Sequence, residues 1–196
     1  MAEGFFVYRG KIKVEQSIDA CKLFFDFLLL EKFDIILEIG TKYGGFSLVL
    51  SDIIKHNKLK CKVITIDKFN YGNLDLLAKE GIDSLVMDIF ASESIGVIKK
   101  IKNPNNKILV LCDNGNKPKE FYLLSNIIQG NDFIMVHDYA TTIEAGNKMS
   151  ALNIWHWFEV YYSDIQDSII KNDLTQYKKI DFLNVFWGCF SKSIKK

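Results

Sequence analysis

Arginine is almost missing from this chain. Arg9 is the one arginine among 25 basic residues, and the rest are lysines. Paired guanidinium contacts to phosphates or carboxylates therefore have little part in its chemistry. An excess of one charge is lacking too: 25 basic side chains against 24 acidic ones leave a net charge of +1. That gives no electrostatic reason to expect nucleic acid as a partner. Long apolar runs are absent. The longest, Phe24 to Leu30, is interrupted by Asp26 and is far too short to span a bilayer, so no membrane partner is expected. The first ten residues, MAEGFFVYRG, have neither a basic start nor a long apolar stretch, and no secretory leader is expected there. The four cysteines, Cys21, Cys61, Cys112 and Cys189, are scattered with no Cys-x-x-Cys. This argues against a zinc site or a disulfide framework and for buried thiols in a reducing, cytoplasmic setting.

What remains is an ordinary globular composition, 48% hydrophobic and 25% charged over 196 residues. The length suits one domain with a sizeable core. No linker or internal repeat divides it. The expectation is a single domain over residues 1–196: a leading strand and helix (1–31), a ligand-binding core (32–139), then a loop, helix and C-terminal hairpin (140–196).

The informative stretch is DIILEIGTKYGGFSLVL, residues 34–50. A β-branched apolar run reads as a buried parallel strand, a glycine-rich turn follows, and apolar residues then recur at helical spacing. Glycines let the backbone approach a ligand closely, and a helix start presents unpaired N–H groups. The spacing selects among ligands. A dinucleotide fingerprint starting at Gly40 would need its second glycine where Lys42 stands, which argues against NAD. Instead an acid precedes the first glycine by two and another glycine follows it by four: Glu38-Ile-Gly40-Thr41-Lys-Tyr43-Gly44-Gly45. This resembles motif I of class I S-adenosylmethionine (SAM) methyltransferases, in the Glu-x-Gly-x-x-x-Gly form of the catechol O-methyltransferase-like and cephalosporin-hydroxylase-like members. The physical logic agrees, because a carboxylate beside the turn attracts the ammonium or sulfonium charge of SAM.

Helices and strands alternate along the rest. Phe5 to Tyr8 is β-like, and apolar residues spaced by three and four from Val14 to Leu30 predict an amphipathic helix. Lys62 to Ile66 is the second strand, closing on Asp67, where a Rossmann-like sheet sets a carboxylate against ribose hydroxyls. Ser84 to Met87 is the third, closing on Asp88 and Ile89. Lys107 to Cys112 is the fourth, closing on Asp113. A helix from Pro118 to Ile128 with Gly130 as its cap leads to the fifth strand, Phe133 to Val136, closing on His137-Asp138. Ile143 to Met149 reads as a mobile loop over the site. The aromatic stretch Trp155 to Tyr162 reads as core or substrate wall, with His156 and Glu159 as candidates to face the site. Tyr177 to Phe182 and Asn184 to Phe190 read as an antiparallel hairpin. The alternation predicts an α/β doubly wound sheet with helices on both faces, and the resemblance implies its Rossmann-like seven-stranded form of order 3-2-1-4-5-7-6 with the last strand antiparallel.

In that order strands four and five are neighbours about 4.8 Å apart, so Asp113 and His137-Asp138 emerge together at one edge. Two carboxylates with no arginine beside them repel unless a cation joins them or one keeps a proton. A magnesium-like ion would join them and acidify a substrate hydroxyl. The resemblance implies the same: metal-dependent small-molecule O-methyltransferases end strands four and five in such acids. It further implies SAM contacts from Glu38, Gly40, Thr41, Tyr43, Gly44, Ser47, Asp67, Asp88, Ile89 and Asp113. Metal ligands would be Asp113, His137 and Asp138, and catalytic roles fall to His137, Lys117 and Asp113, with a small-molecule acceptor. The chain departs from the family pattern in three places. His137 stands where an acid is common, Phe46 where a serine is common, and Lys117 lies four after Asp113 instead of three. Two other classes stay open: a metal-dependent hydroxylase or hydrolase, and a non-catalytic binding protein that kept the fold. Oligomeric state is open, with a homo-oligomer among the options.

Overall fold

Three apolar runs make the centre of the sheet. In the computed structural model, which describes residues 6–10 and 12–193, these are β3 (Ile35–Ile39), β6 (Ile108–Cys112) and β7 (Phe133–Val136). The last two are buried along their whole length, as strands covered on both faces must be. β4 (Lys62–Asp67) and β5 (Asp83–Val86) extend the sheet on one side. On the other, β11 (Gly188–Lys192) lies antiparallel between β7 and β10 (Leu174–Gln176). The order is β10-β11-β7-β6-β3-β4-β5, which is the 3-2-1-4-5-7-6 arrangement. Register aligns Ile39 with Ile66 and with Cys112, and Cys112 with Val136. Asp67, Asp113 and His137 therefore leave the sheet at one level.

Each face carries its own core. One is packed by α1 (Ile18–Glu31), α2 (Gly45–His56) and α8 (Lys179–Leu183), with edge-to-face contacts of Phe24 to Phe46 at 5.0 Å and to Trp187 at 5.4 Å. Phe46 thus takes its departure from the usual serine into this aromatic cluster. The other face holds α4 (Ser94–Ile101), α5 (Lys117–Ser125) and α7 (Tyr162–Lys171), around Phe121, Leu124, Ile165 and Phe190. The short α3 (Leu74–Lys79) links β4 to β5. A hairpin of β1 (Phe6–Tyr8) and β2 (Ile12–Val14) is fastened to α2 and the turn after α3 by Arg9, which pairs with Asp52 at 2.6 Å and with Glu80 at 2.5 Å. Phe5 and Lys11 lie outside the described residues.

Four expectations are corrected. The first helix begins at Ile18, not Val14: Ser17 accepts the Ala20 N–H at 3.0 Å and caps it, while Val14 ends β2. α5 ends at Ser125, and Asn131, not Gly130, takes the left-handed turn there (φ 70°). The stretch after Thr142 is a helix, α6 (Ile143–Ala151), because Thr142 accepts the Ala145 N–H at 3.0 Å. The C-terminal pair is no tight hairpin. Its strands are β10 and β11, and the intervening residues form α8 and seat Phe182 and Trp187, both fully buried, against α1. Burial of two large aromatics there outweighs the strand preference of the same residues. A small parallel pair, β8 (Tyr139–Ala140) with β9 (Val160–Tyr161), ties the aromatic stretch to the end of β7.

All four cysteines are free; Cys112 and Cys189 are buried, Cys21 and Cys61 half-buried. No helix among the described residues is long and apolar enough to cross a membrane.

Candidate active site

The carboxyl ends of β3, β4, β6 and β7 open into a cavity of about 410 Å³. Glu38, Gly40, Thr41, Tyr43, Asp67 and Asp113 line it, together with Lys117, His137, Asp138 and Glu159. Its glycine turn is shaped by the protein's own backbone. Gly40 sits at φ +107°, and a Cβ there would lie 2.2 Å from the Asp113 carbonyl oxygen. A Cβ on Gly45 would lie 2.1 Å from the carbonyl oxygen of Lys13. These two glycines let the β6 exit loop and β2 close against the turn.

The cofactor side is a set of prearranged acceptors. Asp67 accepts the Lys42 N–H at 2.9 Å and the Phe69 N–H at 3.0 Å, one on each oxygen. Each oxygen keeps capacity for a further donor. Thr41 and Thr65 share a hydroxyl contact of 2.6 Å below the turn. Ser47, fully buried behind the cavity, donates to Glu38. Burial pushes the Glu38 carboxyl up to about 8, against the opposing pull of the Ser47 and Thr65 hydroxyls. Tyr43 and Tyr71 meet edge to face at 5.7 Å on the rim. Asp88 and Ile89 stand apart from this group. Asp88 pairs with Lys68 at 3.1 Å near the surface, and Ile89 is in the core.

The second half of the cavity is a charged cluster. Asp113, His137 and Asp138 each present one ligand atom within 4.8 Å of the others. His137 Nδ1 lies 3.0 Å from Asp113 Oδ1, and Trp187 stacks obliquely on the ring at 4.7 Å. Asp138 holds a left-handed backbone (φ 55°) and accepts the Trp155 indole N–H at 2.9 Å. Gln16, almost fully buried, donates to Asp113 at 2.8 Å and accepts from the Trp187 indole at 3.0 Å. Glu120 accepts backbone N–H groups from Asn114 and Asn116 and so holds the loop after Asp113.

The charge balance is not the one expected from the sequence. Lys117 is buried, and its ammonium lies 2.6 Å from Glu159, 3.0 Å from Asp138 and 3.8 Å from Asp113. It supplies the cation that no arginine provides. Burial opposes its charge, yet the carboxylates of Asp113, Asp138 and Glu159 prevail and raise its pKa. Lys117 therefore enters the site as a positive charge flanked by three carboxylates. Burial likewise opposes protonation of His137, and Asp113 and Asp138 outweigh it, so its pKa is raised above the ordinary imidazole value. Gln16 and Trp187 carried no signal of their site role in the sequence, since each reads as a helix approach or as core, whereas Trp155, read as core or substrate wall, does line the cavity. Glu159, a candidate from its place beside the aromatics, does reach the cluster.

The family models decide the relationship. Residues 9–156, three quarters of the chain, match the family described as rhamnosyl O-methyltransferase/CmcI. The chain belongs to this family. Solved structures agree on the fold. A CmcI structure described as Mg-SAM is 14% identical with a TM-score of 0.69, over 95% of this chain and 76% of that one. The O-methyltransferase TomG from Streptomyces achromogenes, in complex with SAM, is 15% identical with a TM-score of 0.52, over 90% and 81%. No protein of curated function matches by sequence. In this CmcI-family chain, then, the cavity sits where the shared fold brings the ends of its central strands together.

One consequence of the cluster can be read by NMR. Asp113→Asn removes a charge and a charge-assisted acceptor from His137 but leaves its burial in place. The His137 imidazole pKa is expected to fall below its wild-type value in a pH titration of the three histidines. An unmoved His137 resonance profile would show that Asp113 does not govern it.

Proposed function

We propose that this chain is a SAM-dependent O-methyltransferase acting on a hydroxyl of a small molecule, aided by a divalent cation. The observation that carries the reading is one cavity joining the Glu38/Asp67 side to the Asp113/His137/Asp138 cluster, in a chain of an O-methyltransferase family. The volume lies within the range of small-molecule and cofactor sites.

SAM supplies a methyl group on a positively charged sulfur. Asp67 has the free acceptor capacity to take ribose hydroxyls, and Glu38 offers a carboxyl to the ammonium group. Thr41, Gly40, Tyr43 and the Gly44 turn shape the wall between them, and Ser47 orients Glu38 from behind. Asp88 and Ile89 lie outside the cavity lining and are left out of the proposed cofactor contacts.

The donor set fits a divalent cation: two carboxylates, which suit magnesium or manganese, are gathered with an imidazole, which favours a softer ion. Asp113, His137 and Asp138 would hold it, and its charge would lower the pKa of an acceptor hydroxyl. Asp113 and Gln16 fix the His137 ring; its one lone pair would serve either the cation as a ligand or, in the cation-free site, the hydroxyl proton. Trp155 fixes Asp138. Holding the hydroxyl oxygen and the methyl donor in line supplies much of the rate.

Calorimetric titration with SAM tests the cofactor half. Wild type is expected to bind, and Asp67→Ala to bind about a hundredfold more weakly, the loss of a charged double acceptor. Glu38, with its pKa near 8, is largely protonated at neutral pH. A cation placed beside it favours the carboxylate, so binding should release a proton, measured by repeating the titration in buffers of different ionisation heat. Wild-type protein that ignores SAM with and without magnesium would end the methyltransferase reading.

A further inference from the structure

The cluster already holds a positive charge, and it comes from the chain itself. Lys117 sits on two of the three groups assigned to the divalent ion, 3.0 Å from Asp138 and 3.8 Å from Asp113. Its shortest contact, 2.6 Å, is to a carboxylate outside that set, Glu159. The Glu159 side chain is half exposed, whereas those of Lys117 and Asp138 are nearly buried. A dication and an ammonium cannot share Asp113 and Asp138 at such distances without strong repulsion. Lysine has a flexible four-carbon stem and a point charge, so it can change partners while keeping its backbone fixed in α5.

From these contacts we propose that Lys117 is a tethered counter-ion that competes with the divalent cation for Asp113 and Asp138. Glu159 is the carboxylate that keeps Lys117 when the cation is bound. The inference rests on the cation reading given above and adds its regulation. In the cation-free protein the ammonium offsets part of the charge of the two acids and weakens their repulsion. When a cation enters, Lys117 withdraws toward Glu159. The affinity observed is the intrinsic affinity reduced by the cost of that exchange. Lys117 and Glu159 are thus positioning residues that set how tightly the site takes its ion.

The experiment is a calorimetric titration of the full chain with Mn²⁺, without SAM, on wild type, Lys117→Met, Glu159→Gln and the double variant. Lys117→Met should bind Mn²⁺ about tenfold more tightly, as expected when a neighbouring like charge is removed. Glu159→Gln should bind it several-fold more weakly, and this loss should vanish in the double variant, because Glu159 acts through Lys117. Should three unpaired carboxylates unfold Lys117→Met, Lys117→Gln retains a hydrogen-bond donor toward Asp138 and makes the same comparison. Equal or weaker binding by a folded Lys117 variant, with wild type binding normally, overturns the competition alone. A Glu159→Gln effect that persists without Lys117 shows that Glu159 acts by its own charge and overturns its role as acceptor of the lysine. No Mn²⁺ binding by any of the four overturns both this inference and the cation part of the proposed function.

Discussion

Gly40→Ala is expected to cost about 4 kcal/mol of stability and to abolish cofactor binding. The cause is double. A φ of +107° is a conformation that residues with a Cβ rarely adopt, and the new methyl carbon would sit 2.2 Å from the Asp113 carbonyl oxygen. That atom is backbone at the exit of β6, so it cannot rotate away as a side chain would. Relief requires the β3 turn and the β6 loop to separate, and the two halves of the cavity separate with them. For a chain of this length the loss corresponds to a fall of roughly 10 °C in melting temperature. Gly96→Ala is the matched control. Gly96 lies inside α4 with open space around its missing Cβ, so alanine there should be neutral or stabilising by up to about 1 kcal/mol. Melting curves that place Gly40→Ala beside the wild type would show that the turn is not held as described.

The second large effect is on the cation. Asp138→Asn should weaken Mn²⁺ binding by about a hundredfold, roughly 2.7 kcal/mol, while the protein stays folded. Asparagine tolerates the left-handed backbone at this position, and its carbonyl oxygen can still accept from Trp155. What disappears is the charge that faces Lys117 and, in the proposed function, the ion. Melting temperature and Mn²⁺ affinity therefore separate: the first nearly constant, the second strongly reduced. An affinity equal to that of the wild type would show that the Asp138 carboxylate does not hold the ion.

The frame of this molecule was legible because burial leaves a mark along the chain. β6 and β7 are covered on both faces, so Ile108 to Cys112 and Phe133 to Val136 read as continuous apolar runs. Alternation of strands with helices then implied a doubly wound sheet, and the sheet implied that Asp67, Asp113 and His137-Asp138 share an edge. The C-terminal segment departs from its hairpin pattern because the local sequence from Tyr177 to Phe190 suits a hairpin and a helix-containing connection equally well. Which outcome holds depends on whether Phe182 and Trp187 find a partner surface, and that surface is α1, more than 150 residues earlier.

By itself, the sequence determined the central strands and the acids delivered to one edge, because those follow from local periodicity and chain alternation, while the full strand order came with the family resemblance. Only the tertiary structure decided how that edge is wired. Gln16 meets Trp187 across 171 positions and Lys117 meets Glu159 across 42. Such pairs have no spacing that a pattern can reveal. Their partners are chosen by a low-dielectric cavity that leaves few alternatives to a buried charge or a buried amide.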